Sequence, residues 1–75
     1  MSISDGVESI VREQLGIPAC DPLDFDAEWS ALGADDLEQV EMIMAVEQEF
    51  DLDIDDGIFQ DITTNKVIRL LGEQL

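Results

Sequence analysis

An excess of acid limits what this chain can become. Nineteen aspartates and glutamates face only Arg12, Lys66 and Arg69 in 75 residues, with no histidine, for a formal net charge of −16. A compact state so charged repels itself, so the fold must turn its carboxylates outward and hold together through apolar contacts. The length allows one core and therefore one domain, residues 1–75. Hydrophobic residues make up 45% and aromatic residues 5%, so Ile, Leu, Val and Met must build the core around Phe25, Trp29, Phe50 and Phe59. That mixture suits helices better than aromatic-rich strands.

The same charge sorts the partners. Nucleic acid and anionic membrane surfaces carry phosphates that would be repelled. A protein surface with a basic patch is favoured, and encounter with it is fastest at low salt. The longest apolar run, residues 42–46, is far too short to span a bilayer, and the N-terminus lacks a basic and apolar signal pattern. A cytoplasmic, soluble monomer is expected. Cys20 stands alone, so it can form no internal disulfide, and with no histidine beside it it is neither a metal site nor half of a nucleophile pair. It reads as a small buried or loop residue.

Along the chain, Ile3, Val7, Ile10, Val11 and Leu15 recur at steps of three and four, and Gly16 follows where a helix-ending glycine belongs. Residues 17–35 lose that period and hold Pro18, Pro22 and Gly33, yet they also carry Leu23, Phe25, Trp29 and Leu32. A loop so rich in large apolar groups packs on the core. A second helix is predicted from Asp36 to about Phe50, and a short third turn or helix over residues 56–62. A last helix follows, capped by Thr63, Thr64 or Asn65, with Val67, Ile68, Leu70, Leu71 and Leu75 inward. The fold class expected is all-α, a four-helix bundle with a long first loop and a short third helix.

The second helix carries two apolar faces. At 100° per residue Ile43, Val46 and Phe50 fall together, with Met42 at their edge, whereas Leu37, Val40 and Met44 fall on the opposite side. Glu41, Glu47 and Gln48 flank this second stripe, with Glu38 and Glu49 near it. Burial on two sides of a small bundle is the plainer explanation of such a helix. The carboxylates argue against it, because they would have to leave water. An apolar strip rimmed by acid fits a basic patch with an apolar centre.

The run Leu32-Gly-Ala-Asp35-Asp36-Leu37-Glu-Gln-Val40-Glu41-Met-Ile-Met44-Ala-Val46-Glu47-Gln-Glu49-Phe50 resembles the signature of acyl carrier proteins, with Asp36 where that family has serine. The resemblance extends through residues 51–54 and 62–64 and through Glu13-Gln14-Leu15-Gly16. It implies a four-helix bundle whose second helix docks on synthases, transferases and other acyl-handling enzymes. It also implies a 4′-phosphopantetheine arm on the serine, which carries acyl groups as thioesters. By position, it assigns docking to Asp35, Leu37, Glu38, Val40, Glu41, Met44 and Glu47, nearly the strip found from helical angles.

Asp36 breaks the pattern. Attachment of the arm needs a hydroxyl, which a carboxylate does not have. Ser30, the nearest hydroxyl upstream, lies off the motif. Asp36 does suit a helix start, as an N-cap with Gln39 three residues on and a negative charge at the positive end of the helix dipole. Two origins account for it, a specialised paralogue or a carrier altered to block loading. The apolar segment 56–60, whose Ile58 or Phe59 could fill the family's acyl cleft, favours the paralogue.

Other motifs lead nowhere. Asp51, Asp53 and Asp55 open like a calcium loop, but its glycine position is Asp56 and its twelfth position is Ile62. No specific metal site is expected, only loose divalent binding to dense acid. Without histidine, tyrosine or a glycine-rich phosphate loop, nothing supports catalysis, and the chain is not expected to be an enzyme. Two functions follow: a carrier-family module of fatty-acid, polyketide or related acyl metabolism that is disabled for loading, or a non-acylated regulatory or structural protein using the same docking face.

Overall fold

The computed structural model describes residues 2–54 and 61–74. Helix α1 spans Ile3–Leu15, α2 Asp36–Phe50 and α3 Thr64–Gln74, and no strand occurs among the described residues. The sequence therefore located all three long helices. The expected short helix over residues 56–62 falls mostly outside the described residues, and its expected end is corrected. Asp61 is left-handed at φ 55°, and the buried Ile62 accepts a 2.8 Å hydrogen bond from the Trp29 N–H. A residue held to the loop in this way is not a helical turn.

Local chemistry sets the ends of α1. The Ser2 hydroxyl accepts from the Asp5 N–H at 3.1 Å, and Gly16 takes the left-handed conformation at φ 67° while its N–H bonds the Arg12 carbonyl. Along the stripe between them Val7 and Val11 are fully buried, with Ile3, Ile10 and Leu15 packed beside them. Helix α1 packs on both α2 and α3. Gly6 permits a close approach to α2, since a Cβ there would lie 2.7 Å from Phe50 Cζ. Met42, Ile43 and Val46 from α2 and Val67 and Leu71 from α3 complete the helical part of the core.

The long first loop, residues 16–35, is held at both ends. Near its start the Arg12 guanidinium donates to the carbonyls of Pro18 and Asp21 at 2.6 and 2.8 Å, and to Glu8 at 2.9 Å. One of the chain's three cations thus orders a loop instead of facing solvent. Cys20 lies in this loop and is exposed. At the other end Trp29 is fully buried, and its indole N–H donates to the buried Thr64 hydroxyl at 3.1 Å. The Asn65 N–H and side-chain amide reach the Phe25 carbonyl and the Asp26 carboxylate, at 3.0 and 2.6 Å. The three residues proposed as caps of the last helix therefore divide the work. Thr63 caps, its hydroxyl accepting from the Lys66 N–H at 3.0 Å, while Thr64 and Asn65 hold the loop.

Glu28 pairs with Thr63 in an isolated antiparallel bridge, which brings the Glu28 and Asp61 carboxyls together. Hydrogen bonding to Asp61, and then its charge, raises the Glu28 pKa. A carboxyl with a raised folded-state pKa contributes stability below its ordinary pKa and loses it as pH rises through the raised value. The nearby charge of Asp61 disfavours the ionised form of Glu28. Asp61→Asn, which removes that repulsion and suits a left-handed backbone, should raise the thermal midpoint at pH 7. The gain should shrink as pH falls through the carboxyl range, and thermal circular dichroism at a series of pH values checks both.

Candidate functional site

The start of α2 is built by the turn that carries Trp29. The Trp29 carbonyl accepts from the N–H groups of Leu32 and Ala34 at 3.1 and 3.0 Å, and Gly33 turns the chain at φ 104°. Ala34 is buried, so Asp35 is the first residue free to extend before the helix, at φ −80° and ψ 179°. Its carboxylate accepts from the Glu38 N–H at 2.7 Å. The expected cap is therefore corrected by one residue: Asp35 is the N-cap and Asp36 the first helical residue, exposed to solvent. Gln39 is no capping-box partner of Asp36. Its amide donates to the Ala34 carbonyl at 3.1 Å and fastens the helix to the turn.

Beyond this start the two faces of α2 separate as the helical angles predicted. Met42, Ile43 and Val46 are buried, whereas Leu37, Val40 and Met44 are 67%, 40% and 51% exposed. All five charged residues of the helix, Asp36, Glu38, Glu41, Glu47 and Glu49, are acidic. Asp35 and Glu41 are exposed and Glu38 is half-buried. Glu47 has a second task that helical angles could not show. Its carboxylate accepts from the Ile54 N–H at 2.8 Å, closing the chain that turns back at Asp51, which is left-handed at φ 54°. Asp51 thus serves as a helix stop. Beside it an open hollow of about 340 Å³ is lined by Met44, Glu47, Gln48, Asp51, Leu52 and Asp53. Among the described residues no cluster of three or more His, Cys, Asp or Glu is arranged for a metal, and no helix is long and apolar enough to cross a membrane.

Comparison with known proteins gives this helix a context. The profile of a family described as "Phosphopantetheine attachment site" matches residues 5–71. The chain belongs to the acyl carrier protein family. It is 45% identical over 69 residues, 92% of its length, to "Acyl carrier protein 4, chloroplastic" of Arabidopsis thaliana. It is 42% identical over 71 residues to "Acyl carrier protein 1, chloroplastic" of Hordeum vulgare, and 47% over 62 residues to "Acyl carrier protein" of Cyanidioschyzon merolae. The chain spans about half the length of the first two relatives (50% and 48%) and 68% of the third. Acyl carrier proteins are carriers, not enzymes.

The family's prosthetic group does not fit the residues present. A phosphodiester link needs a hydroxyl, and residues 31–62 contain no serine, threonine or tyrosine. At the head of α2 there are two carboxylates instead, Asp35 engaged as the cap and Asp36 in solvent. Of the flanking hydroxyls, Thr63 caps α3, Thr64 is buried against Trp29, and Ser30 is exposed in the turn before the helix. Ile58 and Phe59, expected near the family's acyl cleft, lie outside the described residues, as do Asp55 and Asp56.

Proposed function

We propose that this domain is a docking module of fatty-acid, polyketide or related acyl metabolism. It engages basic patches on acyl-handling synthases or transferases through α2, and it bears no phosphopantetheine, because Asp36 stands at the attachment position. The observation that supports this most is the exposed apolar strip, Leu37, Val40 and Met44, on a helix whose charged residues are all acidic. Apolar side chains left in solvent and ringed by one sign of charge fit a surface of the opposite sign with an apolar centre. Asp35, Asp36, Glu38, Glu41 and Glu47 supply the rim. The domain acts as a monomer whose charge opposes self-association. The cytoplasm is the compartment expected from the sequence, and the plastid is that of its chloroplastic relatives.

Binding to a broad-specificity phosphopantetheinyl transferase, followed by fluorescence anisotropy, tests the docking face. Met44→Ala and Glu41→Lys should each weaken it about tenfold, as truncation of an apolar anchor or reversal of a rim charge does. Far-ultraviolet circular dichroism should barely change, because both side chains lie off the core. Glu47 is a poorer probe, since its replacement also releases the Ile54 N–H. If Met44→Ala unfolds the domain and Ile43→Ala does not, the two faces of α2 have been assigned the wrong way round. The non-acylated reading is favoured specifically by Asp36, and it determines what docking can achieve.

A further inference from the structure

The disagreement between the docking face and the missing hydroxyl leads beyond docking. We infer that the domain is a competitive antagonist: it occupies the carrier-binding patch of an enzyme that acts on this family's carriers and so excludes a carrier that can be loaded. The inference rests on the docking function proposed above and assigns that surface a regulatory role.

Three observations carry it. First, the binding face is intact and outward, with Leu37, Val40 and Met44 exposed on a helix that has five acidic and no basic residues. Charge complementarity therefore selects a basic patch as the occupant of this face. Second, the face offers such an enzyme nothing to modify. No hydroxyl occurs from residue 31 to 62, and the side chain at the head of the helix is a solvent-exposed carboxylate. Third, that replacement leaves the helix start undisturbed, because the capping bond is made by Asp35 and not by Asp36. A surface that still binds but cannot react raises the substrate concentration an enzyme needs and leaves its chemistry alone. Asp36 adds an anion at the head of α2, where the dipole also favours one, so the replacement strengthens the acidic face.

The test uses a broad-specificity phosphopantetheinyl transferase, coenzyme A and a serine-bearing carrier of the same family as substrate, with this chain added unmodified. The apparent KM for the carrier should rise in proportion to the added chain, roughly tenfold at about ten times its Kd, with kcat unchanged. Glu41→Lys, which weakens docking, should inhibit correspondingly less, and added salt should relieve the inhibition. Measured binding of the chain without any rise in KM would overturn the antagonist role and leave the docking function standing. A fall in kcat at constant KM would overturn it equally, since occupancy would then lie away from the carrier site. No binding by anisotropy would remove both readings together.

Discussion

Incubated with coenzyme A and a phosphopantetheinyl transferase, this chain should gain no mass, whereas its Asp36→Ser variant should gain one phosphopantetheine group. The expected contrast is all or none, because the bond to phosphorus requires a hydroxyl oxygen that aspartate lacks. The variant should fold as the parent does. Asp35 already supplies the capping oxygen to the Glu38 N–H, so the exchange at Asp36 touches no hydrogen bond of the cap. Only part of the interaction of one exposed charge with the helix dipole is lost, about 0.3 to 1 kcal/mol, and removal of one of 19 acids offsets some of that. Intact-mass spectrometry of both proteins decides the matter. Modification of the parent would refute Asp36 as the attachment position and direct attention to Ser30. A folded but unmodified variant would show that the surface formed by Asp35, Leu37, Glu38, Val40, Glu41 and Met44 has diverged from what the transferase recognises.

Trp29→Ala should remove a large share of the domain's stability, about 3–5 kcal/mol. Trp29 is the largest fully buried side chain, although it sits in a loop and not in a helix. It joins elements distant in sequence: its N–H bonds Ile62, its indole bonds Thr64, and its carbonyl anchors the turn that leads into α2. Removing a buried aromatic of this size costs about 3–5 kcal/mol. A domain of 75 residues has only roughly 4–11 kcal/mol in total, and self-repulsion from the acidic surface reduces this. Thr64→Val, which keeps the shape but leaves the indole N–H without its acceptor, should cost less, about 1–3 kcal/mol. Urea denaturation followed by circular dichroism should give the order parent, Thr64→Val, Trp29→Ala. A Trp29→Ala variant with a cooperative transition close to the parent's would mean that the loop only covers the core and does not form part of it.

Helix positions and faces were legible in the residues themselves. Periodicity places Val7 and Val11 inside α1, Met42, Ile43 and Val46 inside α2, and Val67 and Leu71 inside α3, all of them buried. The exposed Leu37, Val40 and Met44 were equally legible, because a second stripe flanked by carboxylates could not be buried without desolvating them. These features follow from the angle between neighbouring residues on a helix, which the sequence states directly. The absent hydroxyl is likewise a fact of the sequence alone.

What the sequence left open were choices among near-equivalent neighbours. Asp35 and Asp36 are both good caps, and the Trp29 turn, which ends at the buried Ala34, selects Asp35. Thr63 and Thr64 carry the same hydroxyl, yet one caps α3 and the other answers an indole from 35 residues upstream. Glu47 looks like any acid of the rim until the chain turns back at Asp51 and presents the Ile54 N–H to it. Arg12 has many acids within the sequence to pair with; it takes Glu8 one turn back, and the course of the loop adds the carbonyls of Pro18 and Asp21. In each case several side chains offer the same chemistry, and the course of the chain outside the helix decides between them; for Thr64 the deciding partner, Trp29, lies 35 residues away. The sequence by itself thus determined which faces of the helices are apolar and that the second helix bears no hydroxyl. Only the tertiary structure decided which of two adjacent, chemically similar side chains holds the fold and which is left free for a partner.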